Sequence, residues 1–194
     1  RNLISSKENT WCIGCGNCVR VCSQHAKQVR DCTSNAISLL ESDAKVAACV
    51  APSFPVDTPD CDYRVFVGML RALGFDYVHE VAFGADLVAA SYYRLLEENK
   101  DKRYIAANCP AVVAFVEKYH PELIHALAPI VSPMLATARV IQRIHGPEIK
   151  IVFIGPCIAK KGEMLCTYMP HEIDATLAFT ELKQIFETRG ITPD

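Results

Sequence analysis

The sequence predicts an α/β fold, a parallel sheet flanked by helices, preceded by a small cysteine-rich segment. Short apolar runs rich in Val, Ile and aromatic residues ("KVAACVAP", "YVHEVAF", "RYIAANCP", "KIVFIGPC") alternate with helical patterns such as "DYRVFVGMLRALGF" and "ADLVAASYYRLLEENK", and strand–helix alternation builds parallel sheets wound on both faces. Four of the ten cysteines, Cys12, Cys15, Cys18 and Cys22, crowd together ahead of the first of these runs. With 194 residues, 51% of them hydrophobic, the chain has material for one medium domain plus a small appendage.

The appendage comes first. No charged stretch followed by an apolar one opens the chain, which predicts a cytoplasmic protein with reduced thiols, so that metal rather than disulfide bonding explains the cysteines. In "WCIGCGNCVRVC" the spacing is C-x2-C-x2-C-x3-C. Two-residue gaps let successive thiolates converge on the corners of an iron–sulfur cube, and Gly14 and Gly16 let the chain wrap closely around it. Zinc is the rival, but zinc ligands usually come as two separated pairs. Cys32, in "DCTSNAIS", resembles the "C-P-x-x-A-I" ending of ferredoxin repeats with Thr33 in place of proline, and competes with Cys22 as fourth ligand. Residues 1–40 thus read as a ferredoxin-like [4Fe-4S] segment and 41–194 as part of an α/β domain.

Within that domain "KVAACVAP" is the first strand and "DYRVFVGMLRALGF" the helix after it. "YVHEVAF" is the second strand, followed by the helix "ADLVAASYYRLLEENK", whose charged end "LLEENKDKR" leads into a turn. "RYIAAN" is the third strand, with Cys109 at its end. "HPELIHALAP" is a helix begun after Pro121 and stopped by Pro129. "KIVFIGP" is the fourth strand, with Cys157 at its end. Chemistry in such sheets collects outside the carboxyl ends of the strands. One cysteine there would be ordinary, since free Cys is often a small buried hydrophobe. Two, each beside a proline, raise a shared metal site.

Other function classes are excluded or unsupported. A net charge of −2 from 20 basic and 22 acidic residues gives no electrostatic footing for nucleic acid. No apolar run approaches the roughly 20 residues that cross a bilayer. His25, His79, His120, His125, His145 and His171 show no metal-ligand spacing with one another, and no G-x-G-x-x-G, P-loop or G-x-S-x-G motif occurs.

"NCPAVVAFVEKYHPELIHALAPIVSP" and "IGPCIAKKGE" resemble the first two signature segments of the catalytic domain of [FeFe]-hydrogenases, T-S-C-C-P-x-W and M-P-C-x-x-K-x-x-E. "VAPSF" and "GFDYVHEVAFGADL" are similar to that domain's early strand and second strand–helix unit. The resemblance implies that Cys109 and Cys157 hold the cube of the H-cluster, a cube bridged to a two-iron unit carrying carbon monoxide and cyanide. Lys160 would donate a hydrogen bond to a cyanide and Glu163 would orient Lys160; without the motif they would read as a solvated lysine and an exposed helix-start carboxylate. Ala51, Pro52 and Ser53 would line the two-iron unit. The family's third segment, rich in Cys and Gly, has no counterpart here, so the H-cluster is expected only where that part is present. Cys49, Cys61 and Cys166 read as core cysteines.

Four departures from the family stand near the expected cluster. Asn108 replaces a proton-passing cysteine, Ala128 a serine on the same route, Met134 a glutamine and Gly155 a methionine. A carboxamide cannot exchange a proton as a thiol can. The pattern resembles sensory [FeFe]-hydrogenases and implies slow or no turnover of dihydrogen or protons. It also implies a redox partner protein or an attached signalling domain, with electrons passing through the N-terminal cluster. The alternatives are an electron-transfer or cluster-scaffold protein without dihydrogen chemistry, and an active hydrogenase with an unusual proton path.

Overall fold

The computed structural model describes residues 11–164 and 172–193; Cys166 and His171 lie outside the described residues. Two short helices lead, α1 (Asn17–Arg20) and α2 (Thr33–Leu40). Then come β1 (Val46–Val50), α3 (Phe54–Asp57), α4 (Tyr63–Leu73), β2 (Tyr77–Glu80) and α5 (Val81–Glu98). The second half holds α6 (Pro110–Tyr119), a 3-10 helix (Pro121–Ala126), α7 (Pro133–His145), β3 (Lys150–Ile154), α8 (Ala159–Met164), β4 (Ala175–Leu177) and α9 (Phe179–Arg189).

The four strands form one parallel sheet in the order β2-β1-β3-β4, as the alternation of patterns predicts. Every residue of β1 and β4 is buried. A strand covered on both faces has no polar side to present, which is why "VAACV" and the "IVFI" of β3 read as continuous apolar runs.

One device recurs at the amino ends of the strands. The Asp76 carboxylate accepts from the Val46 N–H at 2.9 Å and the Lys45 ammonium at 2.6 Å. The Asp174 carboxylate likewise accepts from the Ile151 N–H at 2.8 Å and the Lys150 ammonium at 3.1 Å. Each aspartate then returns its own N–H to the strand, to the Val46 and Ile151 carbonyls, both at 2.9 Å. These clamps set the register of β1 against β2 and of β3 against β4 at the end of the sheet remote from the cysteines.

The helices are seated by capping and by one close approach. Asp62 accepts from the Arg64 N–H to start α4, and Gly74 at φ 114 ends it. α7 opens on Ser132, whose hydroxyl accepts from the Leu135 N–H. α5 and α7 pack tightly enough that a Cβ on Gly84 would fall 2.1 Å from the Thr137 hydroxyl and 2.4 Å from the Pro133 carbonyl oxygen.

Three elements differ from the sequence reading. "RYIAAN" is not a sheet strand: its only ladder contact is a single parallel bridge from Ile105 to Leu127. The run is short, one-third alanine with a single β-branched residue, and preceded by a charged turn, so it has too little β-branched surface for a place in a buried sheet. The fourth sheet position belongs instead to β4, which at three residues is too short to show a period. "VAF" after "YVHE" opens α5 rather than extending β2, and "PELIHA" folds as 3-10 rather than α-helix.

Candidate functional site

The cysteine-rich loop is built by its glycines. Gly14 and Gly16 sit at φ 75 and 77, a left-handed conformation that costs glycine little. The turn lets the Gly14 N–H point at the Cys12 sulfur, 3.4 Å away. α1 carries Cys18, and Cys22 follows it. The N–H of Ala26, with those of Gln24 and Lys27 and the Lys27 charge, holds the Cys22 thiol below its ordinary value. Backbone donors aimed at sulfur are what cluster-binding thiolates use. α6 pins the loop, Lys118 donating to the Cys12 carbonyl at 2.6 Å and Tyr119 to the Trp11 carbonyl at 3.0 Å.

Cys32 has a different setting. It is 1% exposed at the start of α2, burial pushes its thiol above the ordinary value, and its N–H is given to Glu181 at 3.1 Å. The loop therefore offers Cys12, Cys15, Cys18 and Cys22 as the donor set a cube takes, although no three of these side chains stand in metal-holding geometry; Cys32 is buried, with its N–H tied to Glu181.

Cys109 caps α6 ahead of Pro110, its carbonyl accepting from the N–H groups of Val112 and Val113 at 3.0 and 3.1 Å. The Cys157 carbonyl accepts from the Lys160 N–H at 3.1 Å as α8 begins. Both thiols are exposed. Lys160 joins the two places: its ammonium donates to the Asn108 carbonyl at 3.3 Å and to the Glu163 carboxylate at 2.5 Å. At 11% and 15% side-chain exposure this pair is not a solvated one. The Ala51–Ser53 loop is brought alongside, since the Ala51 N–H donates to the Ile154 carbonyl at 2.8 Å.

One of the departures has a local physical reason. A Cβ on Gly155 would lie 2.7 Å from the Phe153 ring and 2.9 Å from the Ala51 methyl, so the phenylalanine occupies the space a methionine would need. Met134 is buried in the hydrophobic core at 1% exposure. Ala128 is also buried, and lines a cavity of about 580 Å³ together with Cys12, Ala107, Ser132, Ala159 and Glu163. The cavity thus touches the cysteine-rich loop on one side and the elements carrying Cys109 and Cys157 on the other.

The remaining described cysteines act as core. Cys49 is fully buried, which pushes its thiol up to about 12 against the opposing pull of Lys160. Cys61 is half-buried at the edge of the core. Among the described residues no three His, Cys, Asp or Glu side chains stand in metal-holding geometry. Cys109 and Cys157 are two donors where a cube takes four, so these residues fit half of such a site.

One constellation escaped the sequence reading. Lys161, 1% exposed, donates to both oxygens of Glu181 at 2.6 and 2.7 Å and to the Arg30 carbonyl at 2.8 Å. Glu181 also accepts from the Ala178 N–H at 2.6 Å at the start of α9. The available signal was a glutamate three residues into a helix. A second unforeseen contact sets Gly16 against Ile158: a Cβ there would fall 2.3 Å from the isoleucine Cδ1.

Residues 44–194 match the family described as "Iron only hydrogenase large subunit, C-terminal domain", and residues 7–28 match a 4Fe-4S binding domain. The cytosolic Fe-S cluster assembly factor NAR1 of Yarrowia lipolytica is 25% identical over 174 residues, covering 78% of this chain and 35% of its own. Iron hydrogenase 1 of Clostridium pasteurianum is 31% identical over 137 residues, covering 63% of this chain and 24% of its own. The solved HydA(deltaEFG) structure, which concerns stepwise [FeFe]-hydrogenase H-cluster assembly, superposes with a TM-score of 0.73 at 26% identity, covering 84% of this chain and 48% of that one. The chain thus spans about half of that solved structure and a smaller share of these curated relatives. Among the described residues no helix is long and apolar enough to cross a membrane.

Proposed function

We propose that this chain, which belongs to the iron-only hydrogenase large-subunit family, is the electron-relay and first cluster-binding part of a protein that senses hydrogen or redox state with slow or no turnover. The observation that carries the reading is Asn108. It stands immediately before Cys109, with its carbonyl bound by the Lys160 ammonium, so the lysine machinery is kept while the proton-exchanging side chain is not. A [4Fe-4S] cluster held at Cys12 to Cys22 would supply one-electron chemistry. The residues around it supply position: Lys118 and Tyr119 fix the loop, and Gly16 against Ile158 brings it next to Cys157. Lys160 and Glu163 hold a fixed positive donor between Cys109 and Cys157, suited to an anionic ligand of a metal group. Ala128 places no hydroxyl at its own position on the cavity wall.

The test is made in a longer protein that contains a Cys/Gly-rich third segment. Asn108→Cys should raise hydrogen evolution at unchanged cluster content, and Asn108→Cys with Ala128→Ser should exceed either change alone. A positioned proton donor is worth about 10² to 10⁴ in rate, and residues of one relay do not multiply independently. A double variant with carbon monoxide and cyanide infrared bands and no faster evolution would overturn the reading.

The similarity to NAR1 over 174 residues favours a second reading, a cluster scaffold without dihydrogen chemistry. Under it the longer protein shows no such bands and passes its cluster to an apo acceptor.

A further inference from the structure

We propose that Lys161 and Glu181 are a positioning pair that locks the cluster-binding segment onto the α/β domain and thereby fixes the [4Fe-4S] cluster beside the Cys157 loop. The proposal rests on the reading of Cys12 to Cys22 as an electron relay, and it concerns residues to which that reading assigns no part.

The geometry is that of a clasp. An ammonium has three protons, and Lys161 has an oxygen partner for each, two from Glu181 and one from Arg30. Glu181 in turn accepts from the N–H groups of Cys32 and Ala178. Four stretches of chain therefore meet on one ion pair: the Arg30–Cys32 end of the cluster segment, α8, the residue before α9, and α9 itself. Lys161 and Glu181 side chains are 2% and 12% exposed. An ion pair held this far from water is indifferent or costly to stability compared with apolar packing, so what it confers is a defined geometry.

The clasp holds only one end of the segment. The other end is the Gly16–Ile158 contact, where the isoleucine side chain lies against the glycine, its Cδ1 2.3 Å from the place a Cβ would take. Ile158 is next to Cys157, and α8 begins at Ala159. α8 thus turns Lys161 to the clasp and Lys160 to Asn108 and Glu163. Movement at the clasp is carried to the Cys157 loop through a helix of six residues.

The experiment uses the 194-residue chain, reconstituted anaerobically with iron and sulfide and reduced with dithionite, which donates one electron to take the cluster from the 2+ to the 1+ state. Lys161→Met leaves a buried carboxylate beside Cys32. With full iron content it should lower the cluster's midpoint potential, broaden the electron paramagnetic resonance of the reduced state, and speed amide exchange over residues 24–32 on the order of tenfold or more. Lys161→Met with Glu181→Leu removes both charges. Its potential should return toward that of the parent while the broadened resonance and fast exchange persist, because charge is restored and position is not. Lys161→Arg keeps a buried cation with several donors, and should narrow the resonance again.

Full cluster content with parent-like potential, line shape and exchange in Lys161→Met overturns the proposal and leaves the relay reading standing. If the single variant does not fold, a folded double variant with parent-like line shape and exchange overturns it equally. A parent that takes up no iron–sulfur cluster sinks the relay reading, and this proposal with it.

Discussion

Two helical glycines should respond to alanine with opposite signs. Alanine is preferred over glycine in a helix by about 1 kcal/mol. Gly68, inside α4, has nothing within 4 Å of the place its Cβ would occupy, so Gly68→Ala should stabilise by about 0.5–1 kcal/mol. Gly84, inside α5, faces the first turn of α7. Its Cβ would lie 2.1 Å from the Thr137 hydroxyl, 2.4 Å from the Pro133 carbonyl oxygen and 3.0 Å from the Thr137 N. Carbon and oxygen that do not bond stay about 3.3 Å apart or more, so α7 must retreat by roughly 1 Å. The hydroxyl cannot turn away freely, because it donates to that same Pro133 carbonyl at 2.8 Å.

Forcing a packed interface apart costs about 1–3 kcal/mol, and here two of the three obstacles are main chain, which puts the cost at the upper end. After the gain in helix propensity, Gly84→Ala should destabilise by about 2 kcal/mol. At about 2–4 °C per kcal/mol for a chain of this size, that lowers the melting temperature by about 4–8 °C. Anaerobic thermal unfolding of the cluster-loaded parent and both variants measures it. A Gly84→Ala protein as stable as the parent would show that α5 and α7 do not pack as closely as described.

Two further predictions concern the thiols and the histidines. Cys22→Ala should lose the N-terminal cluster, whereas Cys32→Ala should keep about four irons and four sulfides per chain; equal loss in both would mean that burial does not exclude Cys32 from the ligand set. His79 and His145 approach to 3.0 Å between Nε2 atoms, and burial first, then the neighbouring imidazole, holds His79 below its ordinary value. A base whose folded value is depressed contributes its full stability above the unfolded value of about 6.5 and loses it as pH falls below that. The urea midpoint should therefore fall between pH 7.5 and 5.5, and the fall should be smaller in His79→Gln; identical slopes in parent and variant would rule the pair out as its source.

What the sequence displays plainly is whatever repeats or clusters along the chain. "VAACV" and "IVFI" announce buried parallel strands because every position is apolar. The C-x2-C-x2-C-x3-C run is legible as a cluster-binding pattern because its spacing is regular and close, and residues 7–28 match a 4Fe-4S binding domain. β4 is invisible for the opposite reason: three residues carry no period, and only burial beside β3 makes them a strand. "RYIAAN" shows the same limit from the other side, an apolar run that tertiary packing leaves with one bridge.

The adjacent lysines of "AKKGE" mark where reading by motif stops. Successive residues on a helix point about 100° apart, so two neighbouring lysines cannot share a destination, yet nothing local says which one turns inward. The family pattern picks out Lys160 because its spacing to Cys157 and Glu163 is part of the motif. Lys161 is chosen by partners far along the chain, Arg30 on one side and Glu181 on the other, at separations of 131 and 20 residues. A side chain that looks like solvated charge is therefore the most buried cation described. Its role follows from the distance it spans: a motif preserves what a cluster touches, while the placing of one cluster against another depends on contacts between segments that no single stretch of sequence contains.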